Sequence, residues 1–359
     1  MKCDPAKKRF APRLWQMFFF VLPLSAIASE DAPAAPGSKQ AVERIDRYLS
    51  DLENKGFCGV LLLTKQKDVL LHKAYGLADR EAKRRATVDT GFCIGSIVKP
   101  ITKAAIVKLE SEGKLSLDDR ISKYFADVPP DKRDITIRQL VEHTSGLPDI
   151  FGDDYELVSK EWVVEQAMAA KLLSKPGEQR NYSNAGYSLL GAIIEKVSGK
   201  PYERFAYDEL FAPVGVKRIG YLIPGWKNEE MAVGYQGEKR WGTMRDHPWL
   251  DDGPSWNLRA NGGMIATIAE LKQWFDAVLA GRVLNEAGTK RFQELSLGVS
   301  KTTGNRAIAV VGGNGIFNAL YVNFFEENVT FVFFTSSDQF QAEEIWGPIK
   351  KEITENLLK

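Results

Sequence analysis

The segment at residues 96–112 is apolar on almost every side of a helix. A helix without a polar face cannot lie on a protein surface, so this one must run through a large hydrophobic core. Gly113 follows it directly and is the residue type that most often ends a helix. With 359 residues, the chain is long enough to bury such a helix in one large domain or in two closely packed ones.

The elements around this helix predict an α+β fold. Runs rich in β-branched and aromatic residues indicate five strands, at residues 60–64, 69–74, 307–311, 319–325 and 329–335. An amphipathic helix is predicted at residues 41–52 and a closing helix at residues 343–358. We expect the first and last strands to share one antiparallel sheet with helices on its faces.

The middle of the chain is predicted to form a mainly helical lobe. We assign residues 101–261 to this lobe and residues 41–100 and 262–359 to the sheet lobe. Clefts between lobes are common places for small-molecule sites, so we expect the active-site cleft there.

Several helix boundaries in both lobes can be predicted from local signals. Thr136 with Gln139 has the pattern of a capping box, and Thr267 with Glu270 repeats it. A further helix is indicated by helical spacing of apolar residues before Gly199, at Leu190, Ile193, Ile194 and Val197.

The N-terminus has the layout of a secretory signal peptide. Five Lys and Arg residues precede a mostly apolar run at residues 14–28, which is 15 residues long, whereas a membrane span needs about 20. We expect residues 1–28 to be removed by cleavage after Ala28, leaving no stable membrane anchor. Residues 29–40 are rich in Ala and Pro and predict a flexible leader. The mature chain is therefore expected to be periplasmic or secreted.

Composition excludes several classes of protein. Lys and Arg total 48 and Asp and Glu total 47, so the net charge of +1 argues against a nucleic-acid partner. Only Cys58 and Cys93 remain after the predicted cleavage. They could form one disulfide in an oxidising compartment, but their apolar surroundings favour two buried free thiols. The three His residues are isolated, so no metal site is expected, and no cofactor is implied.

The strongest chemical signal is Ser96 followed by Lys99 at the start of the apolar helix. Residues three apart lie on one face of a helix, and the unpaired N–H groups of a helix start suit a developing oxyanion. A serine needs a base within hydrogen-bond reach, and burial can make a lysine serve as one. Taken alone, the pair would better fit a helix cap followed by a solvated lysine.

Tyr182 and Asn184 lie 86 and 88 residues after Ser96, directly before a predicted helix. A phenol beside an ammonium can relay protons, and an amide can hydrogen-bond both a lysine and a substrate carbonyl. The alternative for both residues is a turn with a helix cap.

Together these motifs make the chain resemble the serine β-lactamase and penicillin-binding protein superfamily. The branch is the one with class C β-lactamases, D-Ala-D-Ala carboxypeptidases and family VIII esterases. Four stretches carry the resemblance in the family's order, at residues 92–100 (FCIGSIVKP), 140–148 (LVEHTSGLP), 176–184 (PGEQRNYSN) and 262–267 (GGMIAT).

The resemblance implies a β-lactamase/transpeptidase-like fold and a set of roles. Ser96 would be the acylated nucleophile, Lys99 its proton partner, Tyr182 the general base or relay, and Asn184 a substrate-binding amide. One oxyanion donor would be the Ser96 N–H and the other an N–H of the facing strand. His143 falls in a stretch whose family role is structural, and it could also interact with a helix C-terminus.

The family's third motif, which carries a cation for the substrate carboxylate, has two candidate positions. Lys301-Thr302-Thr303-Gly304 has one Thr too many and resembles a polar turn. Gly312, Gly313, Asn314 and Gly315 lie after a predicted strand and fit the family's order better, so we assign them to substrate binding. Loss of the cation would weaken carboxylate binding by about ten- to a hundredfold.

These observations predict an exported, monomeric serine hydrolase that forms an acyl-enzyme on an ester, amide or β-lactam carbonyl. Its partner would be a small-molecule or peptidoglycan-like acyl substrate. Three alternatives remain open: a family VIII-like carboxylesterase, a D-Ala-D-Ala carboxypeptidase, and a non-catalytic penicillin-binding-like module. The last is kept because the third motif is degenerate.

Overall fold

A computed structural model describes residues 36–299 and 304–358 of the chain. The predicted signal peptide and the first part of the predicted leader lie outside these residues. The leader prediction is wrong for residues 36–40, which belong to the first helix, α1 (Pro36–Glu53). Proline at the first helical position has its φ angle already set and gives up an N–H that has no partner inside the helix.

Groups of helices and groups of strands follow one another along the described residues, as in an α+β fold. The other α-helices are α2 (Val98–Ser111), α3 (Ile137–Val141), α4 (Lys160–Ala169), α5 (Asn184–Ser198), α6 (Tyr202–Ala206), α7 (Ile268–Leu279), α8 (Glu286–Glu294) and α9 (Ala342–Asn356). The strands are β1 (Gly59–Lys65), β2 (Asp68–Tyr75), β3 (Leu77–Asp79), β4 (Arg84–Arg85), β5 (Phe92–Cys93), β6 (Ile219–Gly220), β7 (Gly234–Gln236), β8 (Lys239–Gly242), β9 (Trp249–Leu250), β10 (Gly253–Pro254), β11 (Ile265–Ala266), β12 (Gly298–Val299), β13 (Arg306–Gly313), β14 (Asn318–Phe324) and β15 (Val329–Thr335).

The main sheet combines the two ends of the chain, as predicted. Its six strands run in the order β12-β13-β14-β15-β1-β2, and every pair is antiparallel. The pairing of β1 with β15 joins the first strand of the chain to the last one. The α+β prediction is therefore confirmed.

The sheet buries both of its faces, because its central strands alternate between two apolar cores. Leu61 and Phe333 face one core with α1 and α9, whereas Leu62 and Phe334 face the other core with α2 and α7. Successive side chains of a strand point to opposite faces, so a continuous apolar run is what a sheet covered on both sides requires.

The apolar helix that constrained the fold prediction lies inside the larger core. In α2 the residues from Val98 to Val107 are almost all buried, and α5, α6 and α8 pack around it. A 3₁₀ turn, Gly95–Ile97, leads into it. No helix among the described residues is both long and apolar enough to cross a membrane.

Local signals predicted some helix ends correctly and one wrongly. Thr136 and Gln139 form the expected capping box. Thr267 makes no side-chain cap on α7, so the second capping box is wrong. Its partner, Glu270, instead accepts hydrogen bonds from the backbone N–H groups of Lys217 and Arg218. A contact with a distant loop has replaced the local one.

Candidate active site

Ser96 lies in the 3₁₀ turn that precedes α2 and is half-buried. Neither this turn nor α2 has a side-chain hydrogen bond at its N-cap, so the hydroxyl of Ser96 does not cap a helix. The alternative of a helix cap followed by a solvated lysine is therefore wrong. The Ser96 hydroxyl caps neither element, and Lys99 is only 5% exposed.

Lys99 donates hydrogen bonds to three other residues of the site. Its Nζ donates to Ser96 Oγ at 3.0 Å, to Asn184 Oδ1 at 2.6 Å and to the carbonyl oxygen of Asn261 at 2.7 Å. An ammonium group has three protons, so these three acceptors use all of them. The same Nζ lies 4.9 Å from the centre of the Tyr182 ring. The amine is thus held one helical turn from the hydroxyl, pointing at it.

Tyr182 completes the arrangement from a separate loop. Its hydroxyl lies 2.8 Å from Ser96 Oγ, within hydrogen-bond distance. The side chain is 39% exposed, so it borders the opening of the site rather than the core. The structure therefore brings Ser96, Lys99 and Tyr182 together, at the distances that proton transfer to and from the serine needs.

Asn184 can face Lys99 because another residue caps its helix. Ser183 is the N-cap of α5 and accepts the N–H of Gly186 at 2.9 Å. Asp149 Oδ1 accepts both the backbone N–H of Asn184, at 3.1 Å, and its side-chain Nδ2, at 3.0 Å. This contact fixes the amide so that its oxygen points at Lys99. Asp149 was missed in the sequence analysis, although it directly follows the second matching stretch.

His143 supports the tyrosine loop as a neutral side chain. Burial, together with the nearby charges of Lys99 and Arg180, holds the pKa of His143 well below its ordinary value. Its Nδ1 accepts the backbone N–H of Ser183 at 3.1 Å. The expected structural role fits these contacts, but the interaction with a helix C-terminus does not, since that would need the charged form.

The third acceptor of Lys99 depends on a strained backbone. Ala260, the residue before Asn261, has a φ angle of +67°, which costs a non-glycine residue about 1 kcal/mol or more. The carbonyl of Ala260 accepts the hydroxyl of Thr102 at 2.5 Å. The Asn261 amide donates to Asn257 O at 2.7 Å and to Ser188 Oγ at 2.9 Å. These bonds hold the loop in the conformation that turns the Asn261 carbonyl toward Lys99.

The end of β13 approaches the nucleophile so closely that only glycine fits. A Cβ on Gly312 would lie 2.1 Å from Ile94 O and 2.8 Å from Ser96 N. A Cβ on Gly95, whose φ is +46°, would lie 2.3 Å from Gly313 N. This contact supports the third motif at Gly312 and Gly313. The other candidate position for this motif, residues 301–304, lies almost entirely outside the described residues.

Asn314 and Gly315 have a different relation to the site. Asn314 lines the cleft, but its Nδ2 donates to Tyr155 Oη at 2.9 Å, and its Oδ1 accepts the N–H groups of Ile316 and Phe317. Its amide thus already has partners that hold the turn. Gly315 is exposed at that turn and does not line the cleft. The second oxyanion donor stays a prediction.

A narrow cleft of about 40 Å³ opens beside the nucleophile. Its lining is Cys93, Gly95, Ser96, Asp154, Tyr155, Asn184, Met244, Leu258, Asn261, Gly262, Gly263, Gly313 and Asn314. Among the described residues, no Lys, Arg or His lines it. The only charged lining residue in that part of the chain is Asp154.

Both described cysteines are buried free thiols, as expected. Burial raises the pKa of Cys58 to about 11 and that of Cys93 to about 12. A thiol reacts as its thiolate, so Cys93 is a poor nucleophile at neutral pH although it lines the cleft. Ser96 remains the candidate nucleophile of this cavity.

The fold and the site together define a class of protein. A helix-flanked antiparallel sheet, with a serine held by a lysine one turn on and a tyrosine from a distant loop, places the chain in the β-lactamase-like serine hydrolase superfamily. The Beta-lactamase family model matches residues 45–350, and the chain belongs to that family.

Sequence relatives agree with this assignment. The chain is 34% identical to penicillin-binding protein 4* of Bacillus subtilis over 172 residues, which are 46% of this chain and 38% of that protein. The first curated relatives are matched over 38% to 66% of their own length, less than two thirds in each case.

Solved structures show the same fold. A penicillin-binding protein homologue from Pyrococcus abyssi, described as octameric, superposes with a TM-score of 0.72 at 24% identity, covering 87% of this chain and 76% of that one. D-amino acid amidase from Ochrobactrum anthropi SV3 gives a TM-score of 0.71 at 22% identity, covering 89% and 98%.

Proposed function

We propose that this protein is an exported serine hydrolase that cleaves an ester or amide without a carboxylate group, through an acyl-enzyme on Ser96. The observation that carries the proposal is the convergence of Lys99 Nζ and Tyr182 Oη on Ser96 Oγ, at 3.0 and 2.8 Å. A serine hydroxyl alone is a weak nucleophile, and an amine and a phenol at these distances can activate it once the pair has lost one of its protons.

The proposed reaction has two half-steps. The reaction starts from the form of the Lys99–Tyr182 pair that has lost one proton. Ser96 Oγ attacks the carbonyl carbon while its proton passes to that pair, and the oxyanion is stabilised by the Ser96 N–H. The pair returns the proton to the leaving alcohol or amine as the tetrahedral intermediate collapses. Water then attacks the acyl-enzyme in the same way, releasing the acid and restoring Ser96.

The preference for substrates without a carboxylate rests on the composition of the cleft. No cationic side chain in the described part of the chain lines it, whereas Gly312 and Gly313 occupy the end of the strand beside Ser96. A substrate carboxylate would therefore lack a charge-assisted hydrogen bond, which would weaken its binding by about ten- to a hundredfold. We expect penicillins and D-Ala-D-Ala peptides to be poor substrates.

Labelling with a fluorophosphonate reporter tests the nucleophile. We expect the mature wild-type protein to gain one covalent adduct by intact mass, and Ser96→Ala to gain none while keeping the same circular dichroism spectrum. Ser111→Ala, which removes a half-buried serine hydroxyl that donates to Lys108 O at the C-terminal end of α2, is the matched control and should still be labelled. A folded wild-type protein that takes no label would favour the non-catalytic binding module instead.

Turnover then ranks the substrate classes. Hydrolysis of p-nitrophenyl butanoate beside nitrocefin, at equal enzyme concentration, should show a higher kcat/KM for the ester. Nitrocefin turnover that matches or exceeds that of the ester would contradict the preference for substrates without a carboxylate and indicate a β-lactamase.

Export and a monomeric state remain part of the proposal. The basic start and the apolar run at residues 14–28 support export. Expression of the full chain in a Gram-negative host, followed by fractionation and mass measurement, tests it. We expect a periplasmic form that begins at Ser29. Light scattering of this form should give the mass of one chain.

A further inference from the structure

Asp154 is half-buried and lines the cleft with Ser96, and within the described part of the chain its carboxylate has no ionic or hydrogen-bonded partner. Burial, reinforced by the negative charges of Asp153 and Asp149, raises the pKa of this carboxyl to about 6. At neutral pH it is therefore mostly ionised despite its burial. A carboxylate in such surroundings is costly to keep unless something binds it.

Lys99 does not fill that need. Its positive charge acts on Asp154 at a distance, but its three protons go to Ser96, Asn184 and Asn261. Since no Lys, Arg or His of the described residues lines the cleft, Asp154 is the one charged side chain that this part of the chain presents on the cleft wall. The cleft thus has the opposite polarity to one built for a substrate carboxylate.

We propose that Asp154 selects substrates that carry a positively charged amine near the reactive carbonyl, such as esters or amides of compounds with a free amino group. The inference rests on the proposed acyl-enzyme at Ser96 and names the substrate class for it. The amine would pair with Asp154, and the adjoining Tyr155 and Met244 would offer apolar surface to the rest of the acyl group. Asp154 would then be a specificity residue that contacts the substrate without moving a proton.

A matched pair of fluorophosphonates tests this pairing. One reagent carries a terminal ammonium on a short alkyl chain, and the other ends in a methyl group of similar size. The measured quantity is the ratio of their second-order rates of Ser96 labelling at pH 8. We expect the wild-type protein to favour the ammonium reagent by about tenfold or more, the usual range for a charge-assisted contact.

Substitutions at adjacent positions separate the cleft charge from the general negative field. In Asp154→Asn the ratio should fall to near one. In Asp153→Asn, which makes the same chemical change at an exposed neighbour, it should stay within about twofold of wild type, because solvent screens that charge. A wild-type ratio near one, or a ratio unchanged in Asp154→Asn, would overturn the proposal.

The pH profile of the wild-type ratio gives a second measurement that needs no variant. The ratio should fall as the pH drops through about 6, because Asp154 takes up a proton there. The charged groups acting on it are Lys99, Asp149 and Asp153, while burial raises the pKa values of Cys93 and Tyr155, which stay neutral in this range. A ratio that stays flat from pH 8 to pH 5 would contradict the inference.

The outcomes also separate this inference from the proposed function. Labelling of Ser96 by both reagents at equal rates would retain the serine hydrolase and overturn the amine selectivity. Absence of labelling by either reagent would overturn both, since a specificity residue has no role without a reactive nucleophile.

Discussion

The imidazole of His143 stacks on the ring of Tyr182, with centroids 4.5 Å apart and planes 26° from parallel. The same imidazole accepts the N–H of Ser183 through Nδ1, so one neutral side chain holds both the ring and the backbone of the tyrosine loop. The hydroxyl that meets Ser96 is therefore positioned by a residue that never touches the nucleophile in the described structure.

This relationship predicts an acid-sensitive site. The folded-state pKa of His143 is depressed, so its contribution to stability is present above the unfolded value of about 6.5 and is lost as the pH falls toward the folded value. His143→Phe keeps a ring under Tyr182 but leaves the buried Ser183 N–H unpaired, which should cost about 1–3 kcal/mol at pH 7.5. Urea denaturation from pH 7.5 to 4.5 should show a shallower loss of stability in this variant than in wild type.

Tyr182→Phe should separate catalysis from stability. The change removes only the hydroxyl at Ser96 Oγ, and we expect the labelling rate to fall by about a hundredfold or more, the range for loss of a general acid–base group. The melting temperature should hardly change, since the side chain is partly exposed.

Tyr187→Phe is the matched control for that change. The Tyr187 ring also lies near Lys99, at 5.6 Å, but its buried hydroxyl donates to Val141 O. We expect the reverse result, a loss of about 1 kcal/mol in stability and a labelling rate within a few-fold of wild type. Equal losses of rate in the two variants would contradict the assigned role of Tyr182.

The sequence predicted the fold best where a pattern is local and repeated. The apolar run of α2 and the strands at both ends were located almost to the residue, and β15 has the bounds that its β-branched and aromatic run indicated. The failed capping box came from a distant partner. Thr267 lost its capping box because Glu270 binds the backbone of a loop about fifty residues away, which no local pattern reports.

The candidate active site shows the same difference between local patterns and distant contacts. Ser96, Lys99, Tyr182 and Asn184 could be named because each sits in a recognisable stretch of fixed spacing. Asp149, His143 and the carbonyl of Asn261 act through hydrogen bonds that span 35 to 162 residues, so their partners emerge only from the folded chain. Asp154 belongs to no recognisable motif. Its surroundings become apparent only when the other residues that line the cleft are known.

Gly312→Ala should disrupt the contact between β13 and the nucleophile turn. The added Cβ would lie 2.1 Å from Ile94 O and 2.8 Å from Ser96 N, so the strand or the turn must move. Because a 1 Å misplacement can cost about a hundredfold in rate, we expect labelling of Ser96 to fall at least that much. Overpacking should also lower the free energy of unfolding by about 1–3 kcal/mol.

Gly347→Ala controls for the general effect of adding a methyl group to a glycine. This residue is exposed in α9, and its added Cβ would meet nothing within 4 Å. Alanine favours a helix over glycine, but Pro348 follows directly and crowds a Cβ on the residue before it. The two effects oppose each other, so stability should change by no more than about 1 kcal/mol in either direction, with labelling unaffected. A Gly312→Ala protein that labels as fast as Gly347→Ala would show that the strand does not constrain Ser96.

Asp154→Asn should make the protein more stable, with a pH dependence that identifies the cause. The folded-state pKa of Asp154 is raised to about 6 from an ordinary value of 3.8, so its ionised form is the costly one. Its cost is absent below the unfolded pKa and grows as the pH rises through about 6, reaching roughly 1–3 kcal/mol at pH 8. Urea denaturation should therefore show Asp154→Asn more stable than wild type at pH 8 and nearly equal to it at pH 4. An equal or lower stability at pH 8 would mean that the carboxylate has a stabilising partner in the folded chain, and the cleft would then lack the unpaired charge that the amine selectivity requires.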